Sequence, residues 1–562
     1  MKETMLQVFK SPAGTLFASF ILLFGNLCCS SAPVLQEDLF IRVNQVGYLP
    51  EQVKVGVVFS KKPVRSKEFV LVDAKTKQEK FRNTLSDNKG SWGNFGYHYY
   101  ADFSGFRQDG SYILEIGGKK SPVFRLSKAI YANIVDSLLA FLTVQRCGAT
   151  NPLLHKNCHI YDSPNVVGDD PGVKADVTGG WHDAGDYVKF LNTSAFTTYM
   201  LLLAYETNGK NLQGDRNHNG VPDVLEEARV GIDWLLRCNY KGTSLINQVQ
   251  DNRDHDQSWR LPENDSLKYD RPAFRGIGKN LIGIYSATLA LASRIWRDTF
   301  HDQEFANKLL NTAQKFYAIR GKVPDIDQTT SGMYVDHAYK AKLALGAIEL
   351  YRATNKPEYL TDAKVLGASL QPDFWWSWGD INGLAFYRIA PFSPELKDNL
   401  EKNLIQFNNT RKQSIFSEGT SYTWGTTHTF LGIALQGMFW KQITGTSRYD
   451  SLASAQVDYV LGNNPWGVSF ISNFGTTTTK HFHSQVAFFN HGWLPGAIAA
   501  GPVPKEALKN FVINREDMAF EEFNSADVKY YDDRMDYLTN EPTIVTNATA
   551  IFLFSSDFFQ KK

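Results

Sequence analysis

Charge of one sign is not in excess: 59 Lys and Arg stand against 58 Asp and Glu, a formal net charge of +1. A chain so balanced offers no broad basic surface, which argues against nucleic acid as a partner. Cysteine is scarce. Five occur in 562 residues, and Cys28 and Cys29 belong to the N-terminal segment, so only Cys147, Cys158 and Cys238 stand in the body. An odd set of three argues against a disulfide framework. Beyond the N-terminus there is no apolar run long enough for a membrane span. There is no clear repeat and no disordered tract.

The N-terminus itself carries Lys2 and Lys10, an apolar run from Leu16 to Leu27, and then Cys28-Cys29-Ser30-Ser31-Ala32. Residues 1–32 read as an export segment, too short to span a membrane as a mature helix. Leu27-Cys28-Cys29 leaves two forms open, a secreted or periplasmic protein and a lipoprotein attached to a membrane through an N-terminal lipid.

The length calls for two or more domains. From Phe40 to Leu126, runs such as Ile41–Val43, Val53–Phe59, Phe69–Val72 and Tyr112–Ile116 are rich in β-branched and aromatic residues and are separated by turn clusters. That spacing predicts a small β-sandwich over 38–126. From Ile130 onward the apolar period becomes helical, as in Ile134, Leu138, Leu139 and Leu142. Ten or more such helices within 127–562 bury their faces by packing pairwise in rings or layers. Their loops are where binding groups are expected.

Two segments carry the chemistry. Gly179-Gly180-Trp181-His182-Asp183-Ala184-Gly185-Asp186 sets two carboxylates three residues apart in a glycine-rich loop, suited to holding a water for attack. Taken alone it reads equally as a polar turn. Tyr530-Tyr531-Asp532-Asp533-Arg534-Met535-Asp536-Tyr537-Leu538-Thr539-Asn540-Glu541-Pro542 places Glu541 at the opening of the last apolar helix. Taken alone, Glu541 reads as a first-turn acid serving the helix dipole.

Together the two segments resemble the family 9 glycoside hydrolases, best known as cellulases. Residues 179–186 match that family's Asp loop, and Asp532, Tyr537, Asn540, Glu541, Asn547 and Ala548 fit its C-terminal signature. Ile41-Arg42-Val43-Asn44-Gln45-Val46-Gly47-Tyr48 resembles the start of the immunoglobulin-like domain that precedes many of these catalytic domains. The resemblance implies an immunoglobulin-like sandwich followed by an (α/α)6 barrel. It implies an inverting hydrolase of β-1,4-glucosidic bonds in β-glucans, without an organic cofactor, and a monomer is expected. Glu541 would be the acid, Asp186 the base, and Asp183 a second holder of the water, with Tyr537 and Asn540 beside them. An inverting pair stands roughly 6.5–9.5 Å apart to admit that water.

One departure bears on substrate. The family's sugar-binding His-x-His-His-Arg run is here His481-Phe482-His483-Ser484-Gln485. The catalytic acids are intact, so hydrolysis stands, and xyloglucan or an exo-acting role on oligosaccharides or amino sugars joins cellulose as an expectation. A non-catalytic glycan-binding protein is the rival of another class. His481, His483, Tyr537 and Trp424 are the candidate substrate contacts, with Trp259, Trp375, Trp376 and Trp378 as further loop aromatics.

Two metal sites are legible. Cys147, Cys158, His159 and His182 form a tetrahedral donor set for structural zinc, and some family members carry such a zinc. A Cys147–Cys158 disulfide is the alternative, which leaves the two histidines unexplained. Asp215, Asn217, Asn219, Val221, Asp223 and Glu226 have calcium-loop spacing around Gly220. The alternative there is a plain loop capping the next helix. Cys238 reads as a buried free thiol.

Overall fold

The computed structural model describes residues 38–162, 165–170, 172–265, 271–327, 334, 336–509 and 511–560. The expected export segment, with Cys28 and Cys29, lies outside the described residues.

The β unit contains β1 (Leu39–Arg42), β2 (Gly47–Tyr48), β3 (Val55–Ser60), β4 (Glu68–Asp73), β5 (Glu79–Thr84), β6 (Tyr97–Asp102), β7 (Gly110–Ile116), β8 (Lys119–Lys120) and β9 (Phe124–Leu126). One sheet runs β1-β3-β6; the other runs β2-β9-β7-β4-β5, with β8 paired to β7. Alternation explains the stacking. Leu39, Ile41 and Val58 turn inward and join Phe69, Leu71, Leu114 and Phe124 between the sheets. Their neighbours Phe40, Val57 and Phe59 turn outward onto the core of the helical unit. The smaller sheet is thus covered on both faces, which is why β3 reads as a nearly unbroken apolar run.

The helices are α1 (Ile134–Gln145), α2 (Leu191–Asn208), α3 (Asp223–Arg237), α4 (Lys279–Thr299), α5 (Gln303–Ala318), α6 (Lys340–Thr354), α7 (Pro357–Ala368), α8 (Asn382–Ile389), α9 (Leu396–Gln413), α10 (Thr426–Thr444), α11 (Asp450–Val460), α12 (Gln485–Phe489), α13 (Lys505–Leu508), α14 (Tyr537–Asn540) and α15 (Ile544–Phe554). Helices α2, α4, α6, α8, α10 and α15 pack each on the next, and α15 returns to α2. Outside this ring α3, α5, α7, α9 and α11 each pack on the inner helix that adjoins them in sequence, and α1 lies against α15. Two concentric rings of six make an (α/α)6 barrel. Residue patterns follow the rings. Inner α15 is buried at every position. Outer α9 buries only Leu396, Leu400, Asn403, Leu404 and Phe407, one stripe at helical spacing.

Short strands β10 (Lys189–Phe190), β11 (Asn239–Tyr240), β12 (Ser244–Val249) and β13 (Ala273–Gly276) form a small sheet beside the Asp loop. The β unit is tied to the barrel by buried polar groups. The Gln45 side-chain oxygen accepts from Thr476 N–H (3.0 Å) and Thr477 N–H (2.7 Å), and Gln45 Nε2 donates to Gly467 O at 2.6 Å. Those bonds grip the loop that leads into His481 and His483.

The sequence reading differs from the structure at one element boundary. Glu541 is not in the last helix. It ends α14 in an extended conformation (φ −75°, ψ 124°), because Pro542 disfavours helical backbone before it, and α15 opens at Ile544 with Thr543 as its cap.

Candidate active site

The Asp loop runs from α1 toward α2. Gly180 adopts a positive φ of 75°, with the Trp234 ring where a Cβ would stand. Gly185 is needed for space instead, since a Cβ there would lie 2.1 Å from the His483 carbonyl oxygen. That close approach brings three remote segments together. Gly185 N–H donates to Glu541 Oε1 at 3.0 Å, although 356 residues separate them. His483 N–H donates to Asn540 O at 3.3 Å, and Gln485 N–H to Gly185 O at 2.8 Å.

Three carboxyls share this space, Asp183 and Asp186 buried and Glu541 half-buried. Burial lifts Glu541 to about 8, against the bond from Gly185 and with added repulsion from Asp183. Burial, then the charges of Glu541 and Asp254, push Asp186 well above the usual carboxylate range. Asp183 rises to about 6, chiefly by burial, opposed by hydrogen bonds from Thr193 and Tyr334. The contacts of Asp186 are specific: Val188 N–H donates to Oδ1 at 2.9 Å, and His255 Nε2 stands 3.6 Å from Oδ2. One carboxyl that keeps its proton beside one that can take a proton from water is the equipment of acid–base hydrolysis.

Tyr334, His255 and Asp254 are absent from the sequence reading. Tyr334 stands far from either motif, with no local signal around it. The Asp251–Asp256 stretch, with Asp254 and His255 inside it, was the available cue, a dense titratable cluster on a long loop.

The other expected contacts divide. Trp424 is half exposed, and Tyr537 lies between it (6.1 Å) and His483 (5.6 Å), ring centre to ring centre. His483 is half-buried; desolvation lowers it to about 4, and its Nδ1 bonds to Arg534 O at 2.7 Å. His481 is partly exposed, with Asp532 accepting from its backbone N–H at 3.0 Å. Trp259 stacks on Phe488 at 5.0 Å, and Trp378 packs edge-on against Tyr334 at 5.7 Å. Trp376 is no sugar platform: it is wholly buried, packed over Gly432 and bonded to His428. Asn540 is buried too, and its amide donates to the Tyr531 and Asp533 carbonyls, so it braces the chain behind Glu541.

Behind the Asp loop, one ligand atom each from Cys147, Cys158, His159 and His182 lies within 4.8 Å of every other. Neither thiol is in a disulfide. Burial lowers His182 to about 4, so its imidazole is neutral and able to ligate. His159 turns its other nitrogen to Asp265 Oδ2 at 3.0 Å, the outer partner a metal-binding histidine needs. Two thiols and two imidazoles in a closed pocket suit tetrahedral zinc. Cys238 is a buried free thiol. At the calcium-spaced loop, Asn217 and Asn219 both bond to Glu226, and Asn219 N–H donates to Asp215. Asp223 departs from that set, since it is buried and paired with Arg216 Nε at 2.9 Å.

The Glycosyl hydrolase family 9 model matches residues 131–554, which span both carboxylate segments and the whole barrel. The chain belongs to glycosyl hydrolase family 9. The Cellulase N-terminal ig-like domain model matches residues 36–121 of this family 9 chain. A xyloglucan-specific endo-beta-1,4-glucanase of Bacteroides ovatus is 26% identical, covering 96% of this chain and 97% of that protein. A metagenome-derived glycoside hydrolase family 9 endoglucanase superposes with a TM-score of 0.80 at 25% identity, covering 93% and 99% of the two chains. A Zn-binding triple mutant of a family 9 endoglucanase superposes with a TM-score of 0.78 at 23% identity, covering 92% and 100%. Among the described residues of the family 9 chain, no helix is long and apolar enough to cross a membrane.

Proposed function

We propose that this glycoside hydrolase is an inverting endo-β-1,4-glucanase of β-glucans, with Glu541 as general acid, Asp186 as general base and Asp183 as a second anchor for the water. The observation that carries the reading is the hydrogen bond from Gly185 N–H to Glu541 Oε1 at 3.0 Å, which joins the lone Glu to the Asp loop in one set. Glu541, lifted to about 8 by burial, holds its proton at neutral pH and passes it to the glycosidic oxygen as that bond breaks. Asp186 takes a proton from water as the water's oxygen bonds to the anomeric carbon from the opposite face, so the configuration inverts. Tyr334 and Thr193 hold Asp183 in place by hydrogen bonds. His481, His483, Tyr537 and Trp424 are the proposed sugar contacts.

Xyloglucan belongs among the substrates tested first. Similarity to the Bacteroides ovatus xyloglucanase over nearly the full length of both chains supports it. Zinc held by Cys147, Cys158, His159 and His182 would supply no reactive centre; it would pin the Asp loop to the end of α1. Asp215, Asn217, Asn219, Val221 and Glu226 are the proposed calcium ligands, without Asp223. Residues 1–32 are the proposed export segment, residues 38–126 the sandwich and 127–562 the catalytic domain.

The test digests carboxymethylcellulose, mixed-linkage glucan and xyloglucan with the purified chain. Viscosity should fall well ahead of reducing-end release, and early proton NMR should show the α-anomer. A β-anomer first product refutes the acid and base roles. Release of single sugars without loss of viscosity refutes endo action, and binding without cleavage refutes both.

A further inference from the structure

The loop between β12 and β13 carries a buried charge pattern that the reaction itself does not use. The Arg260 side chain is 12% exposed and lies between two carboxylates of 0% and 2% exposure. Its Nη2 reaches Asp254 Oδ1 at 2.6 Å, and its Nε reaches Asp265 Oδ1 at 2.6 Å. Each carboxylate has a second task. Asp265 Oδ2 holds His159 Nε2 at 3.0 Å, which places it behind the Cys2His2 cluster. Asp254 Oδ2 accepts the backbone N–H of Tyr187, the residue after Asp186, at 3.0 Å. Asp254 also precedes His255, which faces Asp186 at 3.6 Å.

The backbone of Arg260 extends the connection. Its N–H donates to Gln485 Oε1 at 2.9 Å. Gln485 N–H donates to Gly185 O at 2.8 Å, and Gly185 N–H to Glu541 Oε1 at 3.0 Å. The guanidinium lies 5.0 Å from the Tyr187 ring centre, and that ring packs on His182 at 4.7 Å. Two buried carboxylates are costly unless a cation is held between them, and the nearly enclosed guanidinium meets both in one fixed arrangement.

We propose that Arg260 is a positioning residue for glycoside hydrolysis. It links the outer partner of the Cys2His2 cluster to the loop presenting Asp186, and through Gln485 to the backbone that holds Glu541. The inference rests on the zinc and hydrolase readings above. Perturbing Arg260 therefore moves two properties together, turnover and the rate at which the cluster gives up its metal. Lysine cannot bond both carboxylates in the planar fork that arginine offers, so Arg260→Lys falls between wild type and Arg260→Gln.

The test uses the full chain. Wild-type zinc content and glucan cleavage are measured first; a chain without zinc, or without cleavage, fails on the earlier reading and not on this one. Arg260→Gln is then compared for kcat, KM, thermal midpoint and zinc release to a colorimetric chelator. The expected result is kcat lower by about 10- to 100-fold, KM within about threefold, and zinc release faster by about tenfold. Unchanged kcat with unchanged release overturns the proposal, as does loss of one property without the other. Should Arg260→Gln fail to fold, Asp265→Asn decides: it removes the link on the metal side while leaving Asp254 on Tyr187. Faster zinc release with unaltered kcat in Asp265→Asn overturns the coupling, and a joint change upholds it.

Discussion

Replacing Glu541 by Gln tests the acid–base reading most directly. Glutamine keeps the size of the side chain and an oxygen for the Gly185 N–H at 3.0 Å, so the three joined segments stay together. What it removes is the proton to donate. General acid catalysis supplies about 10²–10⁴ in rate, or about 3–5 kcal/mol of barrier. E541Q should lose that factor on cello-oligosaccharides, whose sugar leaving group needs the proton. On 2,4-dinitrophenyl cellobioside, whose leaving group departs without protonation, most activity should return. The wild-type rate on the poor leaving groups should fall above pH of about 8 as Glu541 ionises, and E541Q should lack that alkaline limb on the activated substrate. Stability gives a second reading with an opposite sign. The folded pKa of Glu541 is raised from 4.5 to about 8, so its contribution is fully present below pH 4.5 and is lost as pH climbs through about 8. At 1.36 kcal/mol per unit the penalty is roughly a few kcal/mol at pH 9. E541Q, which cannot ionise, should melt above wild type at pH 9 and level with it near pH 4. Activity within threefold of wild type on poor leaving groups, or a lower melting point at pH 9, would refute the reasoning.

Three further outcomes are expected. Asp186→Ala should abolish turnover on glucans, and azide should partly restore it by forming an α-glycosyl azide visible by NMR; silence with azide in a chain that still binds substrate counts against Asp186 as base. Wild type should hold about one zinc per chain by elemental analysis, and Cys158→Ser should hold far less and melt lower. With free metal 1,000-fold above Kd the linked loss is about 4 kcal/mol, and unchanged melting rejects the zinc site. Gln45→Ala removes the acceptor shared by the Thr476 and Thr477 N–H groups, at about 1 kcal/mol per hydrogen bond, so denaturant titration should show destabilisation together with reduced activity.

What could be read in the sequence follows from how local each signal is. The Asp loop packs its glycines and carboxylates into eight consecutive residues, so its chemistry is visible in one window. Strands such as β9 alternate cleanly, with Phe124 and Leu126 buried on either side of exposed Arg125, and the outer helices show single apolar stripes. The inner ring is harder to see. Helix α10 is buried from Thr426 to Trp440 and has no polar face to mark its place. Tyr334 meets Asp183 from a loop about 150 positions away, and His255 reaches Asp186 from another; neither lies at a period or in a motif. Trp376 stands on a loop, where an aromatic can equally pack or meet sugar; Gly432 on α10 opens the core slot that takes its indole, a contact no local pattern announces.

Burial alone cannot tell the two catalytic carboxyls apart, because it raises both. The distinction must come from their neighbours. Glu541 receives one backbone N–H, from Gly185, and among the described residues no cationic side chain pairs with it. Asp186 receives Val188 N–H at 2.9 Å and has a second nitrogen, His255 Nε2, turned toward its Oδ2 at 3.6 Å. Asp254 opposes this by its own charge, but Arg260 at 2.6 Å offsets much of that field. The proton that the pair shares at neutral pH is therefore better placed on Glu541, with Asp186 left to accept one from water. His255→Gln tests this asymmetry without touching either carboxyl. It should raise the pH at which the acid limb of kcat falls, while the alkaline limb set by Glu541 stays near 8. An unmoved acid limb would mean that His255 does not hold the charge on Asp186.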